Sequence, residues 1–260
     1  MTKNIKKWMQ LFLLQALLIS TTFAIEIENL SVAVDVAGKQ RMFTQRMLKD
    51  YAMIGLENSF GNPKEDLSKI MVAFEEHLDL LIDFNTDLGT KKSLEKVKIL
   101  WSAVKPALNE PPSKNKAGKM QEDLEALLKQ SNEAVGFFAK QTGKASGEII
   151  NISGRQRMLS QRMASLYMLK VWGVNDPKFK EKMDKAMVLF ENSLEKLMQS
   201  DMNTPKITDL LNKAKKSFMF FKIMNKSNSK FIPALIYKKS NEILKDMNTV
   251  TGLYAAQETK

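Results

Sequence analysis

Cysteine is absent from the 260 residues, and histidine occurs only once. The missing cysteines exclude disulfides, thiol nucleophiles and cysteine-ligated metal, so the packing of the fold alone must hold the chain together. A single histidine gives no support for a Ser-His-Asp catalytic triad, and no glycine-rich phosphate loop is present. We therefore expect no enzyme activity and no cofactor.

The one histidine, His77, lies beside two acidic residues, Glu76 and Asp79, which together suggest a metal site. On a helix, however, Glu76 and His77 diverge by about 100°. We therefore predict that no metal is bound and that His77 lies on an exposed polar face. The 17 methionines fall mostly at helical spacing and are expected in the core rather than in a copper site.

Long apolar runs are missing after the first 24 residues. Three early lysines precede an apolar stretch at 8–19, and Thr22 and Ala24 are small residues at the positions that a cleavage site requires. This order predicts a secretory signal peptide over residues 1–24 and a periplasmic protein. The alternative is an uncleaved helix that anchors the chain in the inner membrane. The stretch is short for a bilayer span of about 20 residues, and it contains two glutamines.

Acidic residues are in deficit, with 29 against 40 basic ones. Without the three lysines of the signal segment, 37 basic residues remain and the formal charge is +8. Such an excess attracts anions of every kind. Nucleic acid is not expected as the partner of an exported protein, and no basic stripe interleaved with aromatic residues occurs. A small anionic ligand or a membrane surface fits the charge better.

The chain contains an internal repeat. The sequence GKQRMFTQRM at 38–47 recurs as GRQRMLSQRM at 154–163, with seven of ten positions identical and an offset of 116 residues. The same offset places Asp35 on Asn151 and Tyr51 on Tyr167. The match therefore extends beyond one motif, and the chain is predicted to hold two copies of one module.

Apolar residues at helical spacing, broken by glycine and proline, predict an all-α chain. The predicted helices cover residues 26–57, 64–87, 91–108, 119–172, 178–199, 206–225 and 231–257. They form two tandem up-down four-helix-bundle modules, at 25–143 and 144–260, which share one long central helix. Glycine costs about 1 kcal/mol in a helix interior. Close helix packing or a bend at the module junction would explain four glycines in that helix, namely Gly136, Gly143, Gly147 and Gly154.

A helical wheel divides each motif into two faces. The apolar, core-like face carries Val36, Phe43 and Met47 in the first copy and Ile152, Leu159 and Met163 in the second. The other face is expected to be exposed, and it carries Gly38, Arg41 and Gln45 in the first copy and Gly154, Arg157 and Gln161 in the second. If two such faces met, two guanidinium forks could converge on one small oxyanion, with a glutamine amide as a further donor.

The alternative for Arg41 and Arg157 is an ordinary salt bridge to a neighbouring helix, or a position in solvent. Arg46 and Arg162 lie about 140° away from them on the wheel. We assign Arg46 and Arg162 a structural or interface role.

The two motifs, preceded by Ala37 and Ser153, resemble the signature of the PilJ-type domain. That domain is the periplasmic N-terminal domain of type IV pilus methyl-accepting chemotaxis proteins, and it is related to the nitrate/nitrite sensor domains of NarX-type histidine kinases. The resemblance implies a helical-bundle sensor, often in tandem copies. It also implies anion contact at a dimer interface by the arginine before the first methionine, which is Arg41 or Arg157, near the motif glycine.

These observations lead to a main hypothesis and an alternative. The main hypothesis is a periplasmic sensory protein, expected to be a homodimer, which binds a small oxyanion such as nitrate or nitrite. Because the sequence carries no second membrane helix and no signalling module, its state would pass to a membrane-bound receptor or kinase. The alternative is an interaction or dimerisation module of a type IV pilus or chemotaxis apparatus that binds no ligand.

Overall fold

A computed structural model describes residues 26–84, 87–143, 145–226 and 232–257, and the predicted signal segment at 1–24 lies outside them. The described residues form eight α-helices and no strands. The helices are α1 Leu30–Gly55, α2 Pro63–Phe84, α3 Leu88–Asn109, α4 Lys114–Gln141, α5 Ala145–Val171, α6 Phe179–Met198, α7 Pro205–Lys226 and α8 Pro233–Gln257. The all-α prediction is confirmed. None of these helices has the length and apolar character needed to cross a membrane.

The predicted long central helix is wrong. Helix α4 ends at Gln141 and α5 begins at Ala145, and between them Gly143 has a φ of +62°, in the left-handed region that ends helices. Of the two explanations for the glycines, a bend therefore holds at Gly143. Close packing holds at Gly154, as described below, while a Cβ at Gly136 would meet no atom within 4 Å.

Each sequence repeat folds into four helices packed in a ring. In the first repeat (α1–α4), α1 packs against α2 and α4, and α3 packs against α4; the second repeat (α5–α8) repeats this pattern. The most extensive contact in the structure joins the two repeats, because α1 packs along α5. The two motif helices are therefore each surrounded by neighbours on three sides.

Helices α1 and α5 run parallel, with equivalent positions opposite each other. Near their start, a Cβ on Gly38 of α1 would touch Arg157 of α5. In the middle, Lys49 donates a hydrogen bond to Gln161 over 2.7 Å. At their ends, a Cβ on Gly55 would overlap the indole ring of Trp172. This arrangement buries the polar residues of both motifs between the repeats.

Candidate functional site

Arg41 and Arg157 meet between α1 and α5, and both side chains are fully buried. Each guanidinium reaches across to the opposite helix. Arg41 Nη2 donates to the backbone carbonyl of Asn151, and Arg157 Nη2 donates to the backbone carbonyl of Asp35, both over 3.2 Å. Since Asp35 and Asn151 are equivalent in the repeat, the two arginines are related by an approximate two-fold axis within one chain.

The last helix of each repeat adds a second pair of equivalent contacts. Asn132 of α4 accepts a hydrogen bond from Arg41 Nη1 over 2.9 Å, and Asn248 of α8 accepts one from Arg157 Nη1 over 3.2 Å. Both asparagines are exposed, although the arginines behind them are buried. Each guanidinium therefore donates to the side chain of an exposed asparagine.

The expectation that the arginine face is exposed is wrong. The apolar faces of both motifs are buried, as predicted, but so is the opposite face, which carries Gly38, Arg41, Gln45, Gly154, Arg157 and Gln161. A wheel drawn for one helix shows two faces. Because α1 also packs against α5, as well as against α2 and α4, no broad solvent face remains.

The motif glycines give the guanidinium groups their space. A Cβ on Gly38 would lie 2.9 Å from Arg157 Nη2 and 3.6 Å from Arg41 Nη2. A Cβ on Gly154 would lie 3.0 Å and 3.4 Å from the same two nitrogens. Both terminal nitrogens thus share one small space, which any side chain at either glycine would enter.

We expect Gly38→Ala to lower the free energy of unfolding by about 1 kcal/mol, because the new methyl group forces the Arg157 guanidinium to move. The matched control is Gly136→Ala in α4, where nothing lies within 4 Å of the new Cβ. The control should raise the same free energy by about 0.5–1 kcal/mol, because alanine is the better helix former. Urea unfolding measures both changes, and an equal gain in the two variants would contradict the close approach.

The two arginines differ in their counter-charges. Arg157 Nη1 lies 2.7 Å from Asp35 Oδ1, and Asp35 also pairs with Lys39 over 3.1 Å. Burial alone would raise the pKa of Asp35, but the charges of Arg157 and Lys39 outweigh it and hold that pKa below its ordinary value. Asp35 is therefore ionised and neutralises Arg157.

Arg41 has no such partner within the described residues. Its hydrogen-bond acceptors are an asparagine side chain and a backbone carbonyl, both neutral, and no carboxylate lies within salt-bridge distance. Burial, with repulsion from Arg155 and Arg157, lowers the pKa of the Arg41 guanidinium to about 9. Arg41 is therefore still charged at neutral pH, and it is a buried cation without a counter-ion.

Several buried donors around the pair have no acceptor among the described residues. They are Nε of Arg41, Nε of Arg157 and Nε2 of Gln45. The motif glutamines differ in this respect. Gln161 donates to the backbone carbonyl of Ser240 and accepts from Lys49, whereas Gln45 only accepts, from Ser165. An oxyanion would supply the acceptors that these donors require.

The second arginine of each motif lies apart from this pair. Arg46 forms a two-pronged ion pair with Asp66 at the start of α2. Arg162 pairs with Glu125 of α4 over 2.8 Å. These ion pairs join α1 to α2 and α5 to α4, across helix contacts rather than toward the Arg41–Arg157 pair.

The expectation that His77 is exposed is wrong. Its side chain is buried against Phe43 of α1, with ring centroids 5.2 Å apart, and burial lowers the pKa of His77 to about 4. His77 therefore lies where α2 packs against α1. Within the described residues, no group of three or more metal-binding side chains is placed to hold an ion.

A second buried charged pair lies two turns along α1, at Lys49 and Asp50. Lys49 Nζ donates to Gln161 and Asn241 and lies 4.0 Å above the Tyr237 ring. Neither carboxylate oxygen of Asp50 has a hydrogen-bond partner among the described residues, and the Lys49 ammonium is 3.9 Å away. Burial, with a further contribution from Asp66, raises the pKa of Asp50 well above its ordinary value.

This raised pKa predicts a pH dependence of stability. The folded state holds a proton on Asp50 that the unfolded chain releases near pH 4. The free energy of unfolding is therefore highest below pH 4, and it falls as the pH rises from 4 to the folded pKa of Asp50. Asp50→Asn mimics the protonated form at every pH. The stability advantage of this variant over the wild type should therefore grow above pH 4, by up to about 1.4 kcal/mol per pH unit. A difference that stays constant from pH 4 to 7 in urea unfolding would contradict the assignment.

An open groove of about 440 Å³ lies between the repeats, next to this pair. Arg46 and Asp66 line it from the first repeat, and Tyr237 and Glu242 line it from α8. The groove is lined by side chains of both charges, and its arginine is already paired with its aspartate.

Sequence reasoning missed three residues of the arginine pair's surroundings. The repeat offset pairs Asp35 with Asn151. A helical wheel gives the direction of the Asp35 side chain but not the helix that it faces, so it predicts no role for Asp35. Asn132 and Asn248 are equivalent at the same offset of 116 residues, so a longer self-alignment of the chain would have found them. The repeat offset of 116 residues is thus the signal that identifies the two asparagines.

Residues 138–216 match the family PilJ, described as the N-terminal part of type IV pili methyl-accepting chemotaxis transducers. The matched segment is less than a third of the chain, and it contains the second motif in α5. The match confirms the predicted resemblance to PilJ over that segment. No curated protein and no solved structure matches the chain. The relation to NarX-type domains stays a prediction.

Proposed function

We propose that this chain, whose residues 138–216 match the PilJ family, is a sensory protein that binds one small oxyanion between Arg41 and Arg157. The observation that carries the proposal is the pair of fully buried guanidinium groups, of which only one has a carboxylate partner among the described residues. A buried cation without a counter-ion is costly, and an anion between the helices would compensate it. The family match supports a sensory role in chemotaxis.

The shape of the site favours a planar oxyanion such as nitrate or nitrite. A guanidinium offers its donors in a flat fork that pairs with planar oxygen ligands. Arg41 Nη1 donates to the exposed Asn132 side chain, which an incoming anion can displace. The Nε donors of both arginines and Nε2 of Gln45 then gain acceptors.

Binding would change how α1 sits against α5. Two like charges at one helix contact repel, and an anion between them turns repulsion into attraction, which is the differential interaction that a switch requires. Helix α1 belongs to the first repeat and α5 to the second, so the change would reach both repeats. We propose that a receptor or kinase in the membrane reads this change, and that the chain works in the periplasm after export.

The two arginines of this site come from one chain. The face-to-face contact of two motif helices, which the family resemblance places at a dimer interface, is formed within one chain by α1 and α5. We therefore propose one anion per chain. A homodimer stays a prediction that this site does not require.

Calorimetric titration with sodium nitrate at constant ionic strength tests the proposal. The wild type should show saturable binding, and Arg41→Ala should weaken it by at least about tenfold, the loss expected for a charge-assisted hydrogen-bond partner. Arg46→Ala is the control, because it removes an arginine of the same motif that pairs with Asp66 instead. Equal binding by Arg41→Ala would overturn the proposal. The absence of binding to any common oxyanion would favour the ligand-free interaction module.

A further inference from the structure

We infer that Asp35 sets the charge of the anion that this site accepts, so that a singly charged oxyanion binds and a doubly charged one is rejected. The inference rests on the proposed function and deepens it. It arises from a departure from the internal symmetry of the chain: one of the two equivalent positions facing the arginine pair carries a carboxylate and the other does not.

The departure is local. The backbone carbonyls of Asp35 and Asn151 accept equivalent hydrogen bonds of the same length from Arg157 and Arg41. The side chains behave differently. Asp35 Oδ1 accepts from Arg157 Nη1 over 2.7 Å, whereas Asn151 Oδ1 has no hydrogen-bond partner among the described residues.

The charges of the buried groups then follow. Two guanidinium groups and one carboxylate leave a surplus of one positive charge, and that charge resides on Arg41. Lys39 and Arg155, which occupy equivalent positions beside the pair, are partly exposed, so solvent weakens their charges, although the repulsion from Arg155 still reaches Arg41. A monoanion neutralises the surplus. A dianion would leave a net negative charge in a buried site and would repel Asp35.

Asp35 also directs where the anion binds. Its carboxylate already occupies Nη1 of Arg157, which leaves Arg41 as the arginine whose partners are neutral and exchangeable. In the opposite arrangement, with a carboxylate at position 151 instead, the surplus charge would reside on Arg157. The selectivity for a singly charged anion should therefore depend more on how many carboxylates face the two arginines than on whether the carboxylate stands at position 35 or 151.

A series of variants that changes this number tests the inference. Asp35→Asn removes the carboxylate and leaves a surplus of two charges, Asn151→Asp adds one and leaves none, and the double variant moves the carboxylate from one arginine to the other. Each purified chain is titrated with sodium nitrate and with sodium sulfate at equal ionic strength. Glu181→Gln is the control, because it removes an exposed carboxylate on α6 that pairs with Lys185.

The wild type and the control should prefer nitrate to sulfate. Asp35→Asn should raise the sulfate-to-nitrate affinity ratio by at least about tenfold, and Asn151→Asp should weaken nitrate binding by at least about tenfold. The double variant should prefer nitrate again, as the wild type does. An affinity ratio unchanged in Asp35→Asn, or nitrate binding unchanged in Asn151→Asp, would overturn the inference.

The two proposals fail in different ways. If the wild type binds neither anion, the proposed function fails, and Asp35→Asn alone then decides the role of Asp35. Binding of either anion by that variant would show that Asp35 excludes anions from the arginine pair, and no binding would overturn the inference too. If Asp35→Asn does not fold, Asn151→Asp still removes the surplus charge, and the double variant restores it.

Discussion

Replacing Arg157 with glutamine is expected to lower the free energy of unfolding by about 3 kcal/mol, whereas Arg41→Gln should leave it unchanged or raise it. The two residues are equivalent in sequence and equally buried. Their partners differ, because Arg157→Gln leaves the Asp35 carboxylate buried with Lys39 as its remaining partner. Arg41→Gln removes a buried charge that no carboxylate among the described residues balances.

Urea unfolding in a buffer with a bulky anion measures this contrast, because small anions would stabilise the wild type. Arg162→Gln serves as the control for an ion pair near the surface, which contributes about 0–1 kcal/mol. Equal losses in Arg41→Gln and Arg157→Gln would contradict the unequal pairing of the two arginines.

Nitrate should stabilise the wild-type protein by about 2.7 kcal/mol at a concentration 100 times its dissociation constant, because only the folded chain brings the two arginines together. Arg41→Gln should lose this effect entirely. Without nitrate, the variant should be at least as stable as the wild type, so the loss cannot be attributed to poor folding. The combination of normal stability and absent response is the specific expectation.

The corresponding measurement is thermal or urea unfolding at several nitrate concentrations, with ionic strength held constant. Arg46→Gln should respond to nitrate as the wild type does, because Arg46 pairs with Asp66 away from the site. If Arg41→Gln gained as much stability from nitrate as the wild type, the anion would act elsewhere on this basic chain.

Local sequence signals were sufficient to predict the helices and the repeat. Apolar spacing gave seven helical segments, and proline and glycine gave most of their ends. The same spacing wrongly predicts α4 and α5 as one helix, because Gly143 lies in a segment whose apolar spacing continues on both sides. A glycine can continue a helix or end it in the left-handed region, and its neighbours in sequence do not decide between the two.

The candidate site was predicted in its residues but not in its surroundings. The wheel correctly grouped Gly38 with Arg41 and Gly154 with Arg157, since this grouping depends only on the helical period. Burial of that face depends on α1 packing along α5, which is a contact between residues more than 100 positions apart. The role of Asp35 depends on the same contact, and no pattern within one helix contains it.

We propose that Arg41 and Arg157 bind one anion together. The Nε–H groups of these two arginines are buried and have no acceptor among the described residues, so their ¹⁵N resonances report directly on an arriving oxyanion. The signals can be assigned from the spectra of Arg41→Lys and Arg157→Lys and then followed while nitrate is added to the wild type. We expect both signals to shift together with one dissociation constant. Signals that stay unchanged, or that shift with two different constants, would contradict it.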